Sequence, residues 1–299
     1  MLRKMQRKLK HIVAMALIPC ARRGMRLVPR LQRPIWHRLI WRRLHWRDYR
    51  FVAGSHFGVS FAGTTADNIQ RYIYYFGRWE PHVEATIREC LRPGDTFIDI
   101  GANIGYFTLL AWKLIGPTGR VISIEASAPT FQLLLGNIER NGAQHVVRAI
   151  HAAVTDREGI VKLYTPEKSN IGMASLVRSM GQGYEEVRSA PLRALLTKHE
   201  IESARLVKID VEGAESLVLQ GMLPILAQMT SCNFLIEINA DFSSSDMLTE
   251  LTRRGWRPYG ISPVDSLENY FEPPLKSQLV PLTCWPRERS DVLFRRFRA

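Results

Sequence analysis

The sequence predicts an α/β protein built on a doubly wound, mostly parallel sheet and preceded by a basic, partly helical N-terminal arm. From Pro93 onward, short apolar runs alternate with segments of helical periodicity, the pattern of stacked βα units. The first of these runs passes through a glycine turn straight into a helix, in FIDIGANIGYFTLL at residues 97–110. Charge separates arm from body. Of 41 Lys and Arg residues, 15 fall within residues 1–50 against the single acid Asp48, leaving 26 basic and 27 acidic residues for the rest. These features divide the chain into an arm at 1–50, a lead-in or cap segment at 51–92 and an α/β domain at 93–299. A chain of 299 residues with 46% hydrophobic and 23% charged residues has the means to bury a full core, which excludes disorder as a description of the body.

In the arm, Pro19, Pro29 and Pro34 predict a segment cut into short pieces. Beyond them, IWHRLIWRRLHWRDYR sets Ile35, Leu39, Ile40 and Leu44 at helical spacing among arginines, whereas Trp36, Trp41 and Trp46 do not share one stripe. Three readings are open: a helix lying on an anionic membrane surface, an RNA-gripping arm that stacks aromatics on bases, and a helix packed on the body with its arginines in water. The apolar run IVAMALIPC is too short to span a bilayer and lacks a small-residue cleavage site. Cys20, Cys90, Cys232 and Cys284 form neither a CxxC pair nor a zinc-ligand spacing with histidine. Reduced thiols in a cytoplasmic protein, peripheral to a membrane if the arm lies on one, are therefore expected.

In the body, TFIDIG, RVISIE, HVVRAIHAAV, RLVKID and NFLIEIN read as strands. NIGYFTLLAWKLIG, PTFQLLLGNIERNG and AESLVLQGMLPILAQ read as the helices between them, the second closing at Asn141-Gly142. Right-handed crossovers place ligands at the carboxyl ends of the strands. The stretch from Tyr164 to Ser189 breaks this rhythm and reads as a lid or a surface excursion, with Asn170 and Ser175 as candidate substrate contacts.

A glycine turn opening a helix favours an anionic or electron-rich group. With Gly101, Ala102, Asn103 and Gly105, this turn lacks the middle glycine of a dinucleotide fingerprint and the Gly-Lys-Ser/Thr of a P-loop, which argues against NAD and ATP. A nucleoside without pyrophosphate remains. Glu125, followed by Ala126, ends the second strand where a carboxylate accepts both hydroxyls of a ribose. S-adenosylmethionine fits this reading, with its carboxylate near the turn amides, its ammonium on Asp99 or Glu80, and its adenine bordered by Ala152, Ala153 and Val154. Tyr72, Tyr75 and Trp79 either cover its methionyl end or simply pack together.

The motifs themselves carry a resemblance. GRWEPHVEATIRECLRPGDTFIDIGANIGYFTLLAWKLIGPTGRVISIEAS, AAVTDREG, SNIGMASL and LVKIDVEGAE, in this order over roughly residues 74–240, resemble the FkbM-type methyltransferase family. The resemblance implies a class I, S-adenosylmethionine-dependent fold with a seven-stranded sheet whose last strand is antiparallel. It also implies O-methylation of hydroxyls on sugars, glycans or polyketide-like metabolites. IEAS departs from the acid-then-proline turn common among relatives; the Glu125 carboxylate is kept, and the resemblance leaves the shape of the loop after it open.

Methyl transfer to an alcohol is an in-line displacement helped by a base within reach of the hydroxyl proton. Asp210 and Glu212 in KIDVEGAE stand at the strand-end face, and period-two alternation sends Lys208 to the side of Asp210. Glu237 and Asn239 end the next strand, Glu237 as a further catalytic candidate and Asn239 as a substrate contact. Glu212 also reads as a plain helix N-terminal acid, and Lys208 with Asp210 as an internal ion pair. No dense cluster of acids appears, so no metal is assigned. The rivals are an RNA ribose methyltransferase and a noncatalytic, membrane-attached nucleoside-binding module. A neutral body makes nucleic acid the poorer partner and a small-molecule or glycan hydroxyl the better one.

Overall fold

In a computed structural model of the chain, the described residues are 2–164, 176, 183–238, 246–262, 267–274, 276–286 and 288–296. The arm is one long helix, α1 (Leu2–Leu27), a few tight turns over residues 29–34, and a second helix with π-type hydrogen bonding, α2 (Ile35–Leu44). The expectation that the prolines cut it into short pieces is corrected at Pro19, which lies inside α1. A proline in a helix interior costs about 3 kcal/mol, and packing offsets it here. Ala14, Ile18, Ala21 and Met25 of α1 share a cluster with Trp36, Ile40 and Leu44 of α2 and with Phe51, Ala53, Tyr74 and Tyr75 of the lead-in. Arg38, Arg42 and Arg43 face solvent, so the arm packs on the body as the third reading expects.

The lead-in forms an antiparallel hairpin, β1 (Arg50–Gly54) and β2 (Ser60–Thr64), and the helices α3 (Asn68–Phe76) and α4 (Pro81–Cys90). The Asp67 side chain caps α3 by accepting from the Gln70 amide at 3.0 Å. The βα units follow as β3 (Thr96–Ile100), α5 (Tyr106–Ile115), β4 (Arg120–Glu125), α6 (Ala128–Arg140) and β5 (Val147–His151). HVVRAIHAAV does not stay one strand. The Ala152 amide still donates to the Glu125 carbonyl of β4, after which β6 (Ala153–Val154) turns away. It joins β7 (Gly159–Tyr164) and β8 (Tyr184–Ala190) in a separate three-stranded sheet. Short helices α7 (Leu192–Leu195) and α8 (Lys198–Glu202) lead to β9 (Ala204–Ile209), α9 (Glu215–Met222), β10 (Asn233–Ile238), α10 (Asp246–Arg253) and β11 (Trp256–Ser262). The chain closes through α11 (Glu268–Phe271), β12 (Gln278–Pro281) and β13 (Ser290–Arg296).

The central sheet runs β12-β11-β13-β10-β9-β3-β4-β5. It is parallel from β5 to β10, and β13 lies antiparallel between β10 and β11. The expected antiparallel last strand is thus present, but the sheet has eight strands and not seven, because β12 pairs on the outer edge of β11. Alternation divides the core. Ile98 and Ile100, Ile122 and Ile124, Val207 and Ile209, and Phe234 and Ile236 face one cluster with α9 and α10, while Phe97, Val121, Leu206 and Leu235 face the other with α4, α5 and α6. Asp99, Ser123, Lys208 and Glu237 alternate onto the second face near the strand ends, where a polar site replaces the core.

One backbone crossing sets the spacing at that edge. Gly101, at φ +81°, lies so close to the chain after β9 that a Cβ there would stand 1.8 Å from the Asp210 carbonyl oxygen. Gly101→Ala is therefore expected to cost more than about 3 kcal/mol. Chemical denaturation measures this; a loss below 1 kcal/mol, within about the ordinary range of a surface change, would refute the crossing.

Candidate active site

The carboxyl ends of β4, β3 and β9 form the floor of a cavity of about 200 Å³. Its wall takes in the turn Gly101–Ile104, then Glu125 and Ala126, Ala152, Ala153 and Val154, and Lys208 with Asp210, Val211 and Glu212. The lead-in closes it with Asp67, Trp79 and Glu80, and the segment before β13 supplies Arg289. Because β13 is antiparallel, its first residue reaches the same edge as the last residues of its neighbours, in the register Ile238 to Ser290 and Glu237 to Asp291. The hairpin is held over the site by α6: the Asn137 side chain accepts from the Ala62 amide and donates to the Ile104 carbonyl, and Asn141 brackets Ser60 in the same way.

At the β4 end, Glu125 Oε2 accepts from the Asn103 amide at 2.8 Å and Oε1 from the Ser127 amide at 2.9 Å. Burial pushes its carboxyl up to about 7, against the pull of these amides. A carboxylate offers about four lone pairs, so two remain for hydroxyl donors. Beside it, Ile124, Ala152, Ala153, Val154, Leu163 and Leu176 make an apolar wall suited to a flat ring.

The turn amides are otherwise engaged. Those of Gly101 and Ala102 donate to the Ile124 carbonyl, Asn103 to Glu125, Ile104 to the Asn103 side chain and Gly105 to the Ala102 carbonyl. The turn therefore presents no free amide to an anion, and it acts by seating Glu125. Gly105 itself is not in the wall; at φ +91° it packs where a Cβ would stand 2.7 Å from Leu134 Cδ1. Of the two acids expected at an ammonium, Glu80 lines the cavity and Asp99 lies behind it. Thr108 donates to Asp99 Oδ2 at 2.7 Å, Oδ1 is buried with no hydrogen-bond partner, and burial raises the Asp99 carboxyl against the pull of its strand neighbour Lys208.

At the β9 end, Lys208 Nζ donates to Asp210 Oδ2 at 2.7 Å. Burial alone would neutralise this amine, but Asp210, Asp99 and Glu80 hold it above the ordinary lysine value and so charged. Lys208 is thus the cation of an internal pair and no base. Glu212 follows in a left-handed conformation, φ +52°, and burial beside Asp210 pushes its carboxyl up to about 7. Glu215, in the same motif, holds that strained turn, since its Oε1 accepts from the Val211 and Gly213 amides, each at 3.1 Å. Arg289 spans the acids, with its guanidinium 2.5 Å from Glu237 and 3.6 Å from Glu212. Burial and the neighbouring Asp210 push the Glu237 carboxyl upward against that guanidinium. Glu237 is absent from the cavity wall and braces Arg289 from behind.

Five carboxylates line the cavity, Asp67, Glu80, Glu125, Asp210 and Glu212, against the two cations Lys208 and Arg289. Such a wall repels phosphates and suits a cationic ligand, in keeping with a sulfonium nucleoside. Among the described residues the non-glycine positions with left-handed backbone are Glu80, Asn103 and Glu212, and all three are in this wall. Strain of this kind gathers at functional sites. No group of three or more metal-ligating side chains occurs among the described residues. Tyr75 is buried in the core, Tyr72 packs between Trp36 and Trp79, and only Trp79 of these three aromatics reaches the cavity. Asn170, Ser175 and Asn239 lie outside the described residues. Sequence reasoning missed Arg289, Leu163 and the Asp67–Ile69 segment, none of which carries a motif, and also Leu176, the last residue of SNIGMASL; Glu215 was legible as the last acid of KIDVEGAE.

A family model described as the methyltransferase FkbM domain matches residues 99–258. The 31-O-demethyl-FK506 methyltransferase FkbM of Streptomyces tacrolimicus is 29% identical over 161 residues, covering 44% of this chain and 61% of that protein. The hexuronic acid methyltransferase AglP of Haloferax volcanii is 27% identical over 171 residues, 57% of this chain and 66% of its own length. The chain thus spans under two thirds of these relatives. A solved FkbM methyltransferase from Methylobacillus flagellatus is 16% identical, covers 75% of this chain and 50% of its own, and superposes with a TM-score of 0.45.

The raised Glu212 carboxyl gives a stability test. It binds its proton more tightly folded than unfolded, so its contribution is full below 4.5 and is lost as pH climbs to about 7. Glu212→Gln should remove this slope, gaining on the order of 2 kcal/mol over the native chain at pH 8 relative to pH 4. Thermal melts at the two pH values measure it, and parallel pH slopes would refute the raised carboxyl.

Proposed function

Because the chain belongs to the FkbM methyltransferase family, we propose that it is an S-adenosylmethionine-dependent O-methyltransferase acting on a hydroxyl of a sugar, glycan or polyketide-like metabolite. When bound, S-adenosylmethionine supplies an electrophilic methyl group on sulfur. Glu125 would accept the ribose hydroxyls, the apolar wall from Ile124 to Leu163 would flank the adenine, and Glu80 would hold the ammonium. Glu212 would take the proton of the acceptor hydroxyl. A carboxyl near neutrality is suited to that work, since a substantial fraction, about half, is ionised near pH 7 and is still basic enough to draw the proton. Asp210, fixed by Lys208, would orient the same hydroxyl, while Arg289 limits the repulsion among the acids.

One observation carries this reading: Glu125 and Glu212, each raised to about 7, share a single cavity wall. Their strands are separated by β3 alone, so the two strand ends are about 10 Å apart, room for a nucleoside with an acceptor beside it. Two relatives named for 31-O-demethyl-FK506 and for hexuronic acid support a small hydroxyl-bearing or sugar acceptor. The cysteines are free, which supports work in the reducing cytoplasm.

Calorimetry with S-adenosylmethionine and its demethylated product tests the cofactor, with NADH and ATP as controls. Glu125→Gln should weaken binding more than tenfold, because its amide group would face an N–H donor where a carboxylate oxygen now accepts. Glu212→Gln should leave cofactor affinity within about threefold and lower kcat by 10²–10⁴, roughly the contribution of a general base. It should also flatten the rise of kcat through about 7 that is expected of the native chain. Preference for NADH or ATP, or full activity in Glu212→Gln, would sink the assignment.

A further inference from the structure

The arm has two apolar sides, and the body covers one of them. At 100° per residue, the buried Ala14, Ile18, Ala21 and Met25 of α1 occupy one face. Ile12, Val13, Ala16, Leu17, Cys20 and Leu27 fall within an arc of about 140° on the other, where Arg23 is the one charged residue. Ile12, Val13, Leu17 and Leu27 are between 39% and 68% exposed. An apolar stripe on a helix is ordinarily turned toward a partner, yet no described element covers this outer side.

Charge identifies what does. Arg23, Arg30, Arg38, Arg42 and Arg43 are exposed and have no carboxylate partner among the described residues. The first ten residues add Arg3, Lys4, Arg7, Lys8 and Lys10 to the sequence of α1. Trp41 and Trp46, half exposed on and just after α2, have the amphipathic ring that settles at a headgroup layer. Pairing with a second copy would bring two strongly basic arms together. RNA would use the arginines and tryptophans but gain nothing from an aliphatic stripe. No helix among the described residues is long and apolar enough to cross a membrane.

We propose that the outer face of α1 and the exposed arginines of the arm dock this protein on an anionic bilayer surface, with the helix lying in the interface plane. The inference stands on surface chemistry and does not rest on the methyl-transfer reading.

Liposome flotation with the purified full-length chain tests it, comparing phosphatidylcholine vesicles with and without phosphatidylglycerol. The protein should float with the anionic vesicles and bind neutral ones at least tenfold more weakly. Combined Val13→Ser, Leu17→Ser and Leu27→Ser should reduce anionic binding more than tenfold without lowering the melting temperature, since these side chains sit in water. Combined Arg38→Gln, Arg42→Gln and Arg43→Gln should weaken it and flatten its salt dependence. Failure to float, equal binding to neutral vesicles, or undiminished binding of the serine variant would overturn the proposal. So would a dimer in light scattering that the serine substitutions disperse, or RNA binding that displaces the vesicles.

Discussion

The close passage of the turn after β3 beneath the chain leaving β9 is the constraint on which the site depends. Only a residue without a side chain permits the Asp210 carbonyl to sit where it does against Gly101. That contact brings the element carrying the Glu125 seat into the same small volume as the strained DVEG turn. The parallel pairing of β3 with β9, continued by the Asp210 amide donating to the Ile100 carbonyl, holds the two halves side by side; within them the glycine turn spends its amides on Ile124, Glu125 and itself, and the Val211 and Gly213 amides are spent on Glu215. The two rigid loops meet as finished pieces, and the cavity is the space left between them.

Electrostatics then decides what the space accepts. Buried carboxylates are costly unless paired, and this edge of the sheet carries more of them than its two cations neutralise. Lys208 serves Asp210 and Asp99 from within the sheet, and Arg289 serves Glu237 and Glu212 from the side. The remaining negative potential is a standing preference for a positively charged guest, while burial first of all raises the Glu125 and Glu212 carboxyls. An apolar wall at one end and clustered acids at the other give one pocket two chemically distinct halves.

The legible part of this protein was the part with period and motif. The βα alternation gave the parallel strands in order, and DIGANIG and KIDVEGAE marked the two turns that meet at the cavity. Three things escaped. The break at Ala152 was invisible because HVVRAIHAAV contains no Gly, Pro, Asn, Asp or Ser to mark a turn, and only pairing with β8 tells where one sheet yields to another. The long α1 was hidden by Pro19, whose local preference is overridden by burial of Ile18 and Ala21 on either side. Arg289 was unreadable in principle: it lies in an irregular stretch, and its role follows from the direction of β13, which long-range topology determines. The role expected of the glycine turn illustrates a different limit, since a motif names a backbone shape without saying which of its donors are already taken.

The position of β13 bears on how the protein acquires its form during synthesis. β10 and β11 emerge from the ribosome well before it, yet they never touch; the gap between them is filled by the final strand. β11 therefore has no partner toward β10 until β13 is present, and until then the acids that Arg289 bridges lack their guanidinium. Formation of this edge is non-local and slow by nature, and the cavity gains Arg289 only when β13 takes its place between β10 and β11.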